Sequence, residues 1–322
     1  MTIWEEFQVE TETLLTVAIP TFNRVEAVVE RVRELTRLRS QLNFHVLISD
    51  NCSTDGTAKR LADEVRGTGF TLLVNEENVG YGRNLLSVVN AAQTPYLMVV
   101  SDEDRVESDG LTSLLSFLES ERPRLVSPRA HVRGNDAYRG RHESRPMSAR
   151  EFEDASFYLS GLTFEVERTR RDIPLVEALI AENRAALYYP QVLLTALALL
   201  DGNCHFLDAR VTRQVVELGT EITGGGRDAY WHVPSRWLQF EGYEDFFEGL
   251  ERDHPGKRAL VHEMRDVMRD RIFARLEMAA LAEYPFLKRP IIKPSLLRRI
   301  AGRVLWRLRA GRQAPTSSGS AA

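Results

Sequence analysis

The sequence predicts an α/β protein: a doubly wound, mostly parallel sheet followed by a helical C-terminal extension. Three observations carry that expectation. Apolar runs of about seven residues recur through the first third of the chain, as strands do. The runs are continuous rather than alternating, as in strands covered on both faces. Helical patterns fill the intervals between them, and strand-helix alternation favours parallel pairing.

Taken in order, the runs are Leu14 to Pro20, Phe44 to Asp50, Phe70 to Glu76 and Tyr96 to Asp102. Between the first two, Val25 to Leu38 sets Val28, Val32, Leu35 and Leu38 on one stripe, with charged residues mostly outside it. Thr57 to Val65 and Gly82 to Ala92 fill the next intervals. Past residue 120, Leu125 to Val132 reads as a strand, followed by a polar loop from Arg133 to Arg150. Helices are expected over Thr169 to Ala181 and Pro190 to Leu200, and a strand pair near Cys204 to Val216. A flexible Gly224-Gly225-Gly226 segment follows. From Pro234 the chain reads helical, with long patterns at Gly256 to Ala282 and Ser295 to Arg309. The tail from Ala314 is small and polar, a composition that favours disorder.

With 322 residues, 43% of them hydrophobic and 27% charged, the chain can bury a full core. A net charge of −4 argues against a nucleic-acid binder. Cys52 and Cys204 match no zinc or redox spacing and read as ordinary thiols in a reducing compartment. The acidic N-terminus lacks the order of a signal peptide, and Val192 to Leu200 is too short to span a membrane. A cytoplasmic protein is expected.

In doubly wound sheets, ligands gather at the carboxyl ends of the strands. Those ends carry Pro20-Thr21-Phe22-Asn23, Asp50-Asn51, Asn75 to Asn78 and Asp102 to Asp104. No G-x-G-x-x-G follows the first strand and no phosphate-cradling P-loop is present. Ser101-Asp102-Glu103-Asp104 stands out because two carboxylates one residue apart repel each other. A hard divalent cation with oxygen ligands would resolve that repulsion. An acidic turn, with Asp104 or Asp109 helping to start the next helix, is the plainer alternative.

Four segments in register carry a resemblance. Ile19-Pro20-Thr21-Phe22-Asn23-Arg24, Ser49-Asp50-Asn51-Cys52-Ser53-Thr54-Asp55-Gly56-Thr57, Asn78-Val79-Gly80-Tyr81-Gly82-Arg83-Asn84 and Ser101-Asp102-Glu103-Asp104 resemble the family 2 glycosyltransferases in order and spacing. Ser160-Gly161-Leu162-Thr163-Phe164 is similar to that family's acceptor-side motif. The resemblance covers roughly residues 14 to 215. It implies a GT-A fold, a nucleoside-diphosphate sugar donor, Mg²⁺ or Mn²⁺, and inversion at the anomeric centre. Residue by residue, it implies that Pro20 and Phe22 line the nucleobase pocket, with Thr21 and Asn23 in the same binding segment. Asp50 would accept from a base N–H. Asn78 and Gly80 would contact donor or serve turn geometry alone. Arg83 would reach a phosphate or pair with Glu76 or Glu77. Asp102 would hold the ribose or share the metal, and Asp104 would ligate the metal directly.

One departure concerns the base. The family commonly supplies it from a Glu-Asp pair downstream of the Ser-Gly motif. Here Ala181 to Gln191 contains no such pair, and Tyr188-Tyr189-Pro190 stands where it would open its helix. Glu182 is the nearest candidate, with Asp201, Asp208 and Asp228 further off. His232 could complete a metal shell, and Arg210 and Arg213 could contact an acceptor phosphate. The missing pair keeps a non-catalytic nucleotide-sugar binder in view. A nucleotidyltransferase of similar fold is the other rival, although Thr21 to Arg24 lacks the Gly-rich basic loop that class would want.

The expected organisation is a catalytic domain over 1–232, a helical region over 233–312, and a disordered tail over 313–322. From Lys288 to Arg312 there are nine Lys or Arg and no acid. A helix there would be amphipathic and basic, a composition suited to an anionic membrane surface. The alternative is a helix docked on the catalytic domain. The expected acceptor is a cell-surface polysaccharide or lipid-linked glycan, with the protein peripheral at the inner face of the plasma membrane.

Overall fold

The computed structural model describes residues 2–5, 13–132, 135–137, 143–215 and 231–283. Its first half is the predicted alternation. Strands β2 (Leu15–Thr21), β3 (His45–Asp50), β4 (Thr71–Val74) and β5 (Tyr96–Val99) alternate with helices α1 (Val25–Arg39), α2 (Thr57–Val65) and α3 (Gly80–Ala91). The strands lie parallel in the order β4-β3-β2-β5. A short strand β1 (Thr2–Glu5), which the sequence did not announce, closes the β4 edge in antiparallel register.

Period-two alternation along each strand feeds two cores. Val17 and Ile19 of β2 and Val46 and Ile48 of β3 face the helices α1 and α2, whereas Ala18 and Leu47 face α3. Both faces are buried, which is why these runs read as continuous rather than alternating.

The second half completes a mixed sheet. Strand β6 (Asp104–Val106) leads into α4 (Ser108–Glu121) and β7 (Leu125–Val132), which pairs with the short β8 (Asn135–Ala137). After β9 (Arg145–Pro146), helix α5 (Phe152–Ser156) precedes β10 (Thr163–Glu165), α6 (Val166–Ile180), α7 (Arg184–Tyr188) and α8 (Pro190–Asp201). Strand β10 inserts antiparallel between β5 and β7. The expected strand pair near Cys204 to Val216 is instead one strand, β11 (Cys204–Gln214), parallel to β7. The segment holds no Gly, Pro or Asn to turn a hairpin, and irregularity is confined to register shifts around Arg210. Asp104 begins β6 rather than a helix, so the helix-start alternative for that residue does not hold; Asp109 does lie in the first turn of α4.

Helices α9 (Val233–Asp253) and α10 (Arg258–Glu283) cover the α3 and α8 side of the sheet. Phe240, Tyr243, Phe247, Met264, Met268 and Ile272 join the same buried cluster as Leu85, Leu97 and Leu193. The expected boundary at 232/233 falls at the first residue of α9, and the helices beyond it share the core of the sheet. The basic segment 288–312, the tail 313–322, Gly224 to Gly226 and Asp228 lie outside the described residues.

Candidate active site

The acidic turn is built by the end of β5 and the loop before β10. Val100 N–H donates to Ala18 C=O and Gly161 N–H to Val99 C=O, at 2.9 and 2.8 Å. Ser101 N–H then donates to the Ser160 hydroxyl at 2.8 Å, and Asp104 N–H closes the turn on Ser101 C=O at 3.0 Å. Gly161 has φ of 92°, a backbone that favours glycine, and a Cβ there would stand 3.1 Å from Pro128 Cγ. The Ser-Gly motif therefore shapes the loop that carries the aspartates.

Both aspartates are nearly sealed, Asp102 at 6% exposure and Asp104 at 3%. Thr21 Oγ1 donates to Asp102 Oδ2 at 2.7 Å, and Tyr158 O–H donates to Asp104 Oδ2 at 2.8 Å. Asp104 Oδ1 is buried without a hydrogen-bond partner. Burial pushes Asp102 up to about 6 against the opposing Thr21 bond and Arg24 charge, and burial also raises Asp104. Arg24 forms its close ion pair with Glu103, and its Nε lies 4.0 Å from Asp102 Oδ1.

A buried carboxylate oxygen with no donor, beside a second carboxylate that resists ionising, is what a hard cation would relieve. The donor set fits Mg²⁺ or Mn²⁺ in chemistry. Among the described residues no group of three His, Cys, Asp or Glu side chains converges, so water or phosphate oxygens would complete the shell.

The neighbouring strand ends form a polar floor. Asp50 pairs with Thr21 across the β2/β3 ladder. Its carboxylate accepts from the Ser53 hydroxyl and from Ser53 N–H at 3.1 Å, bonds that oppose the upward push of burial on its pKa. Asn51 joins three loops: its N–H donates to Thr21 C=O at 3.0 Å, its Nδ2 to Asn78 Oδ1 at 2.8 Å, and its Oδ1 accepts from Val79 N–H at 3.0 Å. Asn78 Oδ1 also accepts from Gly80 N–H at 2.9 Å, and Gly80 takes φ of 81° at the start of α3. Asn78 and Gly80 thus hold turn geometry whatever else they contact. Asn23, at φ 52°, accepts from Thr54 N–H at 2.8 Å and ties the first loop to the second.

Pro20 and Phe22 are half-buried, and Phe22 belongs to neither hydrophobic cluster. Arg83 is exposed on α3, and among the described residues no salt bridge joins it to Glu76 or Glu77. Thr21 thus meets Asp102 directly and Asp50 across the ladder, while Arg83 stands on the helix that follows β4.

No Glu-Asp pair opens α8. Tyr189 precedes it with no side-chain cap, and Pro190 takes its first position. Glu182 is exposed in the turn between α6 and α7. Next to it, Asn183 Oδ1 accepts from Ala185 and Ala186 N–H at 2.8 and 3.1 Å, and its Nδ2 donates to Gly242 C=O at 2.7 Å. Asp201 pairs with buried Arg124 at 3.1 Å and Asp208 with Arg129 at 2.9 Å. His232 Nδ1 lies 2.9 Å from Glu283 Oε1, and Arg213 pairs with Glu107 at 2.9 Å.

Residues 16–173 match the family described as glycosyl transferase family 2. This segment is a family 2 glycosyltransferase domain. Abequosyltransferase RfbV of Salmonella typhimurium is 31% identical over 111 residues, covering 34% of this chain and 33% of that protein. The match thus spans a third of the length of that relative. Among solved structures, S. aureus TarS 1–349 in complex with UDP-GlcNAc superposes with a TM-score of 0.54 at 14% identity, over 84% of this chain and 92% of that one. Mannosyltransferase PcManGT from Pyrobaculum calidifontis, in complex with GDP-Man and Mn²⁺, gives 0.55 at 16% identity, over 94% and 83%. The mixed, mostly parallel sheet with its C-terminal helices is of the GT-A type.

Within this glycosyltransferase domain, sequence reasoning missed Tyr158 and the Thr21 hydroxyl as direct partners of the aspartates. Tyr158 stands two positions before the Ser-Gly motif, the one signal that marks it. Thr21 was expected to serve substrate, and its hydroxyl is spent on Asp102.

Proposed function

We propose that the chain is a metal-dependent, inverting glycosyltransferase. It would move a sugar from a nucleoside-diphosphate donor to a cell-surface polysaccharide or lipid-linked glycan. The observation that carries this reading is the pair of sealed aspartates at one strand-end turn, one with an oxygen lacking any donor. Asp104 and Asp102 would hold Mg²⁺ or Mn²⁺, which supplies charge stabilisation for the departing diphosphate. Phe22 offers a ring face to the nucleobase. A carboxylate has about four lone-pair sites, so Asp50, with Ser53 on two of them, retains capacity for a base N–H. Pro20, Thr21 and Asn23 shape that pocket, Asn78 and Gly80 its far wall, and exposed Arg83 suits a phosphate.

For the acceptor proton we assign Glu182, which is exposed and, among the described residues, carries no ion pair, whereas Asp201 and Asp208 are tied to arginines. A base on the face opposite the leaving group gives inversion. The basic segment 288–312 would keep the enzyme peripheral at the inner face of the membrane. Among the described residues no helix is long and apolar enough to cross it.

A thermal-shift panel of nucleoside diphosphates with and without Mn²⁺ tests the reading. One nucleotide should raise Tm further when Mn²⁺ is present, and Asp104→Ala should lose that metal-dependent part. Its survival in the variant would remove the metal assignment. Glu182→Gln should keep the shift and lose transfer. The missing Glu-Asp pair favours one rival, a nucleotide-sugar binder without catalysis. Such a binder would release no nucleoside diphosphate from any donor in Mn²⁺.

A further inference from the structure

Each aspartate of the acidic turn has one oxygen already held by a neutral hydroxyl. Thr21 Oγ1 donates to Asp102 Oδ2 at 2.7 Å, and Tyr158 O–H donates to Asp104 Oδ2 at 2.8 Å. The Oδ1 atoms are left over: that of Asp104 is buried without a partner, and that of Asp102 lies 4.0 Å from Arg24 Nε. A hydroxyl fixes a carboxylate without cancelling its charge, which a guanidinium would cancel. Burial raises Asp104, and the hydroxyls of Ser160 and Tyr158 oppose that push. Among the described residues the hydrogen bond to this carboxylate comes from Tyr158, while Ser160 Oγ accepts from Ser101 N–H at 2.8 Å.

The chain around Tyr158 fixes where its hydroxyl can be. Phe157 and Leu159, its neighbours on either side, both pack against the core cluster that holds Leu85, Ile173 and Leu193, and Tyr158 between them faces the turn. Phe157 is clamped further. Arg275 of α10 stacks on its ring, the guanidinium carbon 3.5 Å from the centroid, and its N–H donates to Glu153 C=O at 3.2 Å. Beyond Tyr158, Leu162 N–H donates to Leu159 C=O at 3.0 Å and Thr212 Oγ1 to Ser160 C=O at 3.2 Å. Tyrosine has few side-chain torsions, so on a backbone held at both ends its hydroxyl is delivered to one place.

We propose that Tyr158 is a positioning residue that confines Asp104 to a single ligating oxygen, Oδ1, and thereby sets the site for Mg²⁺ or Mn²⁺ against Ca²⁺. Mg²⁺ and Mn²⁺ keep octahedral shells, which suit one oxygen from each carboxylate. Ca²⁺ takes a larger, looser shell and accepts both oxygens of one carboxylate. With Oδ2 tied to Tyr158, that second mode is closed to Asp104. The inference rests on the reading of Asp104 as a metal ligand and adds which oxygen binds and what selects the ion.

The test counts bound Mn²⁺ from the EPR signal of the free ion, and bound Ca²⁺ by its competition with Mn²⁺. It uses the full chain alone and with UDP, GDP, CDP or dTDP. Wild type should bind Mn²⁺ more tightly than Ca²⁺, and equal affinity would overturn the proposal. Tyr158→Phe keeps the ring and its packing and removes only the hydroxyl. It should weaken Mn²⁺ by about tenfold or more, the usual consequence of removing a partner from a metal ligand. Ca²⁺ should hold or tighten in that variant, so the preference for Mn²⁺ narrows by the same factor. A merely structural role would weaken both ions alike, and that result would overturn the proposal. Tighter Mn²⁺ binding in Tyr158→Phe would show the hydroxyl competing with the ion for Asp104, and would overturn it too. Asp104→Ala should abolish binding of both ions. With that loss seen and Tyr158→Phe behaving as wild type, the metal reading stands and the role of Tyr158 falls. No Mn²⁺ binding by wild type, or full binding by Asp104→Ala, would remove both.

Discussion

The two aspartates of the acidic turn differ in what already holds them. Asp102 leans on Thr21 of β2, so its position follows the sheet. Asp104 leans on Tyr158, so its position follows the loop before β10. The carboxylates were legible in the sequence because two acids directly behind an apolar run are chemically conspicuous. Their partners were not, because Tyr158 meets Asp104 across 54 positions and Thr21 meets Asp102 across 81. His45 shows the same logic in the core. It is 4% exposed in β3, with its Nε2 at 3.0 Å from Thr71 Oγ1, and burial lowers it to about 4, with Arg39 adding to the effect. The unfolded chain takes up this proton near 6.5 and the folded chain near 4. Its share of stability is therefore complete above pH 6.5 and lost as pH falls toward 4, with a slope of at most about 1.4 kcal/mol per pH unit. Urea unfolding across that window should show a shallower slope for His45→Gln than for wild type. Identical slopes would mean that His45 is protonated in the fold.

At the scale of elements, the clearest constraint is a glycine on a helix. Gly110 of α4 lies so close to β11 that an added Cβ would stand 1.8 Å from Arg210 O, with main chain on the opposing side. Neither partner is a flexible side-chain end, so the helix must shift. Overpacking of this kind costs on the order of 1–3 kcal/mol and sometimes more. Gly110→Ala should accordingly lower Tm by roughly 5–10 °C. An unchanged Tm in a calorimetric scan would show that α4 does not press on β11. Gly242 plays the same part between α9 and the Asn183 cap of α7, with a Cβ falling 2.1 Å from Asn183 Oδ1. Helices α1, α2 and α3 were legible to within two residues because a local stripe and clear ends defined them. A strand pair is expected near Cys204 to Val216, and the fold has one strand, β11, because no Gly, Pro or Asn stands there to favour a hairpin turn. In the fold, Asp208 spends its carboxylate on Arg129 and its N–H on the Ser144 hydroxyl, and the strand continues through the irregularity.

For the molecule as a whole, the parallel half of the sheet could be read directly, since both-face burial writes continuous apolar runs. What could not be read was the destination of α9 and α10. Their amphipathic patterns announce helices but do not say that Phe240, Phe247 and Ile272 complete the core beneath α3 and α8. The basic segment beyond them gives a prediction at this scale. Flotation with anionic liposomes should be strong for the full chain and weak once residues 288–322 are removed, with high salt weakening it further. Equal flotation of the two would count against membrane attachment through that segment. The sheet has one more consequence, at the other end of the chain. Because Thr2–Glu5 already occupies the free flank of Thr71–Val74, a strand offered by a neighbouring copy meets a four-residue edge with a register shift between Ile3 and Glu5 instead of the apolar Leu72-Leu73 strand. These four residues act as a selvedge, keeping Leu72 and Leu73 out of edge-to-edge polymerisation.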